Sequence, residues 1–371
     1  MTTHFVADVH IGNHRRFGGR LISGVNSRAS EVVDILSEAV KLANSKGEPL
    51  MVLGDLCDTP RPTPQLLSAI GKALTPLKDC SGPVILLVGN HDRASMGDND
   101  HALAPLGWIE GVEVVDTPRI VKAVSADSQE HLICIPHRPE PASEWLEDAV
   151  AALNPPKGGV LCVHLGIEDK NTPWFLQGSA DSIHIKVLRK LVKKHSLAAV
   201  FAGNWHDRRE WEGPNGEPIV QVGALVPTGF DNPGLKGYGS VYRYSEGETS
   251  YTELAGPRYA TYRAANGLET TLDEIARSDI ANYLRARYVT DSQTLIEGES
   301  EVEHLKTHDA LDELLVEVAV KNMQEAAISA AEGVKKGVSF DEVLANYVAE
   351  MDLGDIHKEV LHKVKGYLNA H

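Results

Sequence analysis

The sequence predicts an α/β fold in which two β-sheets pack face to face with helices on the outside. Two observations support this fold class. Short apolar segments of the kind that form buried strands alternate with amphipathic helical segments in the first half of the chain, and a strand-rich stretch, 218–254, follows them. Hydrophobic residues make up 42% of the 371 residues, which is enough to bury a substantial core.

Five apolar segments are predicted as strands, and each ends at a loop that carries polar residues. They are 5–7, 49–53, 83–88, 160–163 and 198–202. Glycine or proline bounds most of them, as is typical of buried strands. Because open α/β sheets bind ligands beyond the ends of their strands, the polar residues there are expected to converge. Glycines at 54, 89 and 203 let the chain turn sharply away from the sheet.

Segments with helical spacing lie between the strands at 30–43, 64–77 and 143–153. A fourth, 186–195, has apolar residues on one face and basic residues on the other, which predicts an amphipathic surface helix. We interpret this basic helix mainly as part of the architecture.

The character of the chain changes near 255–257. The stretch 282–290 alternates apolar and basic residues, which predicts a half-buried strand. Beyond Thr307 the chain is acidic, and helical spacing recurs at Leu311, Leu314, Leu315, Val318 and Ala319 and again at Ile356, Val360, Leu361 and Val364. The predicted division is therefore 1–255, 256–306 and 307–371. The last segment either folds back on the body or presents an apolar stripe to a partner helix.

The formal net charge of −16 argues against a protein that binds nucleic acid unaided, because phosphate contacts come from lysine and arginine. Two basic groups soften this objection. Arg15, Arg16 and Arg20 follow the first polar strand end, and Arg208 and Arg209 follow the last one. Such groups are expected either to grip phosphates at the edge of a cleft or to be solvated loop charges.

Cysteines at 57, 80, 134 and 162 show no CxxC spacing, so we expect reduced packing residues rather than a zinc site. The chain starts without a signal-peptide pattern and contains no apolar run long enough to cross a bilayer. We therefore expect a cytoplasmic protein with no membrane partner.

The polar residues at the strand ends are carboxylates, imidazoles and amides. In chain order they form Asp8-Val9-His10, Gly54-Asp55-Leu56-Cys57-Asp58, Gly89-Asn90-His91-Asp92, His164 and Gly203-Asn204-Trp205-His206. Each motif alone is common by chance, but the five in this order suit two closely spaced divalent metals. No Ser/His/Asp arrangement, P-loop or Gly-x-Gly-x-x-Gly fingerprint competes with them.

This series of motifs resembles the calcineurin-like metallophosphoesterases, and the neighbouring residues resemble the SbcD-type nuclease subunits of the SbcCD repair complex. The second motif continues through Thr59, Pro60 and Pro62 as in that subfamily, and segments 223–225 and 236–238 are similar to its closing sheet. The resemblance implies a four-layer αββα sandwich, a small C-terminal α+β capping domain and a helical tail that docks on an SbcC-like ATPase. It also implies a homodimer.

The resemblance further implies the role of each motif residue. Ligands of one metal would be Asp8, His10, Asp55 and His206, and ligands of the second would be Asp55, Asn90 and His164. His91 would approach the scissile phosphate and stabilise or protonate the leaving oxygen. Asp92 would orient that imidazole or simply cap a turn.

Asn204 departs from the family pattern, which has a histidine ligand of the second metal at this place. An amide oxygen is harder than imidazole, so it should weaken the site or favour a metal that tolerates oxygen ligands, such as Mn²⁺. The alternative is loss of the second metal and a weak or inactive enzyme.

The resulting hypothesis is a Mn²⁺-dependent DNA nuclease subunit that hydrolyses phosphodiesters by a two-metal mechanism in DNA repair, recombination or degradation. Mg²⁺ or another divalent ion is the alternative to Mn²⁺. Exonuclease activity on duplex ends is the first expectation, and endonuclease activity on single strands is the second. The alternatives are a nucleotide phosphodiesterase or phosphatase that acts without a partner, and a scaffold that has lost catalysis.

Overall fold

The computed structural model describes residues 2–13, 21–75, 82–94, 100–124, 129–173, 176–227 and 239–254, together with the backbone of 259–264, 283–290 and 313–320. The predictions for Arg15, Arg16, Arg20, Cys80, 236–238 and the helix around 356–364 lie outside these residues. The chain divides into two compact units, Met1–Tyr259 and Ala260–His371. No described helix has the length and apolar character that a membrane span needs.

The described part of the first unit is built from sixteen strands, four α-helices and one 3₁₀ helix. The strands are β1 (Thr2–Val6), β2 (Leu21–Ile22), β3 (Val25–Asn26), β4 (Leu50–Val52), β5 (Val84–Leu87), β6 (Val112–Val115), β7 (Arg119–Val124), β8 (Gln129–Ile135), β9 (Val160–His164), β10 (Gly166–Glu168), β11 (Ser182–His184), β12 (Ala199–Gly203), β13 (Arg209–Glu212), β14 (Pro218–Gln221), β15 (Ser240–Ser245) and β16 (Glu248–Glu253). The helices are α1 (Ser27–Asn44), α2 (Pro64–Leu74), α3 (Ala142–Ala152), α4 (Ile185–His195) and the 3₁₀ helix Ala104–Trp108.

Two six-stranded mixed sheets form the centre of this unit. The first has the order β16-β15-β1-β4-β5-β6, and the second has the order β13-β14-β12-β9-β8-β7. Within the first sheet β1, β4, β5 and β6 run parallel, and within the second β8, β9, β12 and β14 do. The carboxyl ends of the parallel strands in each sheet therefore lie along one edge.

The two sheets pack face to face through a shared apolar core. Phe5 of the first sheet stacks on Phe201 of the second, with ring centroids 3.9 Å apart. Alternate residues of the same strands face outward, where Val6 and Val52 pack with α1 and α2, while α3 and α4 cover the second sheet. The predicted αββα sandwich is confirmed.

Helix ends follow local side chains. The Asn26 side chain accepts from the backbone N–H of Ala29 at 2.7 Å and starts α1, and Thr63 caps α2 directly before Pro64. The helices predicted at 30–43, 64–77, 143–153 and 186–195 are confirmed with shifted ends.

The second unit contains a three-stranded sheet of β17 (Tyr259–Ala264), β18 (Tyr283–Thr290) and β19 (Glu313–Val320). The strand predicted at 282–290 is confirmed as β18. The helix predicted from Leu311 to Ala319 is wrong, because most of this segment forms β19 and pairs in parallel with β18. A short apolar run rich in valine satisfies both periodicities, and β-branched residues favour the strand.

Candidate metal centre

The predicted ligands come together at the carboxyl edge of the two sheets. Backbone hydrogen bonds align the loops, with Asp8 N–H donating to Gly54 O at 3.2 Å and His10 N–H to Asp55 O at 3.0 Å. In the second sheet Gly203 stands opposite His164, so the last two motifs also begin side by side. The structure thus brings together all five motifs.

Three groups of side chains have ligand atoms that lie within 4.8 Å of one another. They are Asp8 with His10 and His206, His10 with Asp55 and His91, and Asp8 with Asp55 and His164. Asp8, His10 and Asp55 each occur in two of these groups, so the three groups form one connected cluster. Asp8, Asp55 and His164 are at most 1% exposed. Buried carboxylates at this spacing need positive charge nearby, so this donor set fits divalent cations.

The carboxylates and imidazoles of the cluster shift one another's pKa values. Burial raises the pKa of Asp8, and the neighbouring Asp55 raises it further. Burial also works against ionisation of Asp55, but His164 and His10 outweigh it and hold the pKa of Asp55 below its ordinary value. Although burial disfavours a charged imidazole, Asp55 and Asp8 raise the pKa of His164 to about 10. The carboxylates thus draw positive charge to this position, which a proton or a metal can supply.

Imidazole nitrogens of the cluster lie within hydrogen-bond distance of other acceptor atoms. His164 Nδ1–H donates to Leu53 O at 2.7 Å, which directs Nε2 towards Asn90 Oδ1 at 2.9 Å. The Nε2 atoms of His10 and His206 are 3.0 Å apart. Such approaches between acceptors require a proton or a cation, and a backbone partner on the other nitrogen is how metal-ligating histidines are oriented.

The backbone at the ligands adopts left-handed conformations. The φ angles are 50° at Asp8, 49° at His10, 51° at Asp55 and 93° at Asn204. This region costs a non-glycine residue about 1–2 kcal/mol, and it clusters at functional sites where surrounding contacts hold it. The N–H of Asn204 donates to both carboxylate oxygens of Asp8 at 2.9 and 3.0 Å, which holds one such turn.

The glycines beside the ligands provide room as well as turns. Gly54 has a φ of 93°, and a Cβ there would lie less than 3.0 Å from Nδ1 of His164. A Cβ at Gly89 would overlap with the Asp55 carboxylate in the same way. Neither position therefore has room for a side chain. The predicted sharp turn accounts for glycine at 54, where φ is positive, whereas at 89 the reason is the close approach of Asp55.

His91 is exposed at the mouth of the cluster. Its ring is held by the backbone of Asp58 and not by Asp92, which was the first of the two roles predicted for Asp92. His91 Nδ1 lies 3.0 Å from the carbonyl oxygen of Asp58, and its backbone N–H donates to Asp55. Asp92 is fully buried and accepts from the backbone N–H groups of Cys57 and Gly89 at 2.8 and 3.0 Å. Both Asp92 oxygens thus hold the backbone of two loops, which agrees with the turn-capping alternative.

The amide nitrogen of Asn204 is bonded to the backbone of Asp181. Nδ2 donates to the carbonyl oxygen of Asp181 at 2.8 Å, and a carbonyl cannot pair with Oδ1 in the reverse orientation. Oδ1 is therefore the atom of this side chain that remains for a cation.

His137 and Asp181 also lie at the site, and the sequence analysis singled out neither of them. His137 is 8% exposed, its ring lies 6.2 Å from that of His164, and its Nε2 lies 2.8 Å from Oδ1 of Asp181. Burial lowers the pKa of His137, which favours the neutral ring. The signal for His137 was present, because it follows the apolar run 132–135 as the ligands follow theirs.

The two described arginines predicted to grip phosphate have partners within the chain. Arg208 donates to Ser240 Oγ at 2.9 Å and lies 3.9 Å over the Tyr251 ring. Arg209 lies 3.8 Å from Asp169 and 3.6 Å from Asp207. Their described contacts are therefore internal.

Comparison with known proteins places the site in a family. Residues 1–208, more than half of the 371, match the calcineurin-like phosphoesterase family. The chain is 25% identical over 170 residues to the DNA double-strand break repair protein Mre11 of Saccharolobus solfataricus, a match that covers 44% of this chain and 40% of that protein. The matched part thus spans less than half of the relative. A solved protein of unknown function from Aquifex aeolicus is 17% identical, with a TM-score of 0.27, and the match covers 59% of this chain and 95% of that one.

Proposed function

This chain belongs to the calcineurin-like phosphoesterases, which indicates a metal-dependent hydrolase, and on that premise we propose that it is a DNA nuclease subunit that uses two Mn²⁺ ions. The observation that carries the proposal is the position of the buried Asp55 carboxylate, with Oδ2 3.7 Å from Nε2 of His10 and Oδ1 3.4 Å from Nε2 of His164. A single site would not need a buried carboxylate between two sets of histidines.

The residues divide between two cations as follows. One would be held by Asp8, His10 and His206 with Asp55, and the other by Asp55, Asn90 and His164 with Oδ1 of Asn204. When bound, two such cations supply positive charge to both the attacking and the leaving oxygen of a phosphodiester. The amide oxygens at Asn90 and Asn204 favour Mn²⁺, because it accepts oxygen ligands readily.

In this proposal His91 acts on the leaving oxygen. The Asp58 carbonyl holds its Nδ1, so Nε2 is the nitrogen that can face a substrate at the mouth of the cluster. A protonated ring can then donate from Nε2 to the oxygen that departs, while Nδ1–H keeps the ring in place.

DNA is the proposed substrate because the matched relative is by its name a DNA double-strand break repair protein. One observation favours a second candidate, a phosphodiesterase for small nucleotides. Arg208 and Arg209 contact partners within the chain, and the net charge is −16, so these two arginines are not available as free cations for a long polyanion. An SbcC-like ATPase that docks on the C-terminal unit would supply that charge and belongs to the proposal, as does a homodimer.

The test is Mn²⁺-dependent release of nucleotides from a linear duplex by the purified chain, run beside a small chromogenic diester. His91→Ala and a chelator serve as controls. Degradation of DNA that both controls abolish supports the nuclease. Cleavage of the small diester alone, with no gain in DNA cleavage when the ATPase is added, would favour the nucleotide phosphodiesterase. Cleavage of neither substrate would contradict both candidates.

A further inference from the structure

His137 occupies a strand end beside the second metal position. β8 runs parallel to β9 with Ile135 opposite Val163, so His137 leaves the sheet next to His164. Its backbone N–H donates to Val88 O at 3.0 Å, which ties it to the loop that carries Asn90. The side chain is more than nine-tenths buried. A histidine is thus packed into the same sheet edge as the predicted ligands.

The hydrogen bonds of His137 resemble those of a metal ligand. Nε2–H donates to the Asp181 carboxylate, which leaves the lone pair on Nδ1. Among the described residues Nδ1 has no hydrogen-bond partner, although it is buried. A buried polar atom without a partner is destabilising, and a bound cation would remove that cost. A carboxylate on the far nitrogen is the usual arrangement behind a coordinating imidazole.

Asp181 links His137 to the place where the family histidine is missing. Its carboxylate holds His137, and its carbonyl accepts from Nδ2 of Asn204. His137 is not among the side chains whose ligand atoms lie within 4.8 Å of one another, but its ring lies 6.2 Å from that of His164, which belongs to one of these groups. We propose that His137, oriented by Asp181, provides the second metal with the imidazole nitrogen that position 204 lacks. The inference rests on the proposed two-metal function.

The test measures metal binding rather than activity. Calorimetric titration of the full chain with Mn²⁺ should give two ions for the parent protein. In His137→Ala the first ion should bind unchanged and the second at least about ten-fold more weakly. His131→Ala is the matched control, since His131 lies on the same strand at its other end, opposite Lys122, and should bind both ions like the parent.

Rescue separates a ligand from a packing residue. The double variant His137→Ala with Asn204→His restores the family histidine and should regain the second ion. If His137→Ala binds both ions as tightly as the parent, loses both equally, or is not rescued, the inference is wrong while the two-metal function stands. A parent that binds fewer than two ions would instead overturn the proposed function and the inference with it. If circular dichroism shows that His137→Ala does not fold, His137→Gln replaces it under the same criteria.

Discussion

Replacing Gly54 by alanine should disrupt the second metal position. The new Cβ would lie less than 3.0 Å from Nδ1 of His164, and that ring cannot yield easily because it is fully buried and bonded to Leu53 O at 2.7 Å. The imidazole must shift, or the strand end must move. Either movement displaces Nε2 from Asn90 and Asp55.

Gly216 provides the matched control. Its φ is 92° against 93° at Gly54, but a Cβ at Gly216 meets nothing within 4 Å. Gly216→Ala should therefore lower the unfolding free energy only by the cost of a left-handed alanine, which is about 1–2 kcal/mol. Gly54→Ala should lose that amount and about 1–3 kcal/mol more from overpacking. The difference between the two variants isolates the clash with His164.

Denaturant unfolding and Mn²⁺ titration would be run on both variants and the parent. Gly54→Ala should bind the second ion about 10–100-fold more weakly, as expected when a ligand loses its orientation, and Gly216→Ala should bind like the parent. Equal stability of the two variants together with unchanged metal affinity in Gly54→Ala would refute the argument that His164 is held against this glycine.

Three further predictions concern other parts of the chain. His91→Ala should keep both ions while hydrolysis falls by about 10²–10⁴-fold, and a loss of metal with activity would show that His91 is a ligand. Glu48→Gln should lower the unfolding free energy by about 2 kcal/mol at pH 7, because the Glu48 carboxylate is bonded to Arg243 and His4. Burial alone would raise the pKa of Glu48, but these bonds outweigh it and hold the pKa below its ordinary value. The deficit of the variant should therefore stay constant down to that ordinary value and shrink at lower pH; a deficit that stays constant down to the lowest pH at which the parent is folded would contradict this. Deletion of 260–371 should spare hydrolysis of the small diester and abolish binding of an SbcC-like ATPase, whereas an unfolded fragment would show that the first unit depends on the second.

The layers of the first unit were predictable because hydrophobic periodicity is local. The apolar runs at 83–88 and 160–163 mark strands that each follow a helix along the chain, and distant contacts do not override their periodicity. The helix predicted around Leu314 failed for the complementary reason, since pairing with β18 decides the conformation of a segment that suits both periods.

At the site, the sequence by itself determined which side chains stand at the strand ends and hence which chemistry they offer. Only the tertiary structure decided how they pair. Asn90 and His164 meet across 74 residues, and Asp181 joins His137 across 44. Asp58 rather than Asp92 supports the His91 ring, and left-handed turns aim Asp8 and Asp55. These relations depend on the packing of two sheets against each other, and no periodicity along one strand encodes the distance to a residue on another.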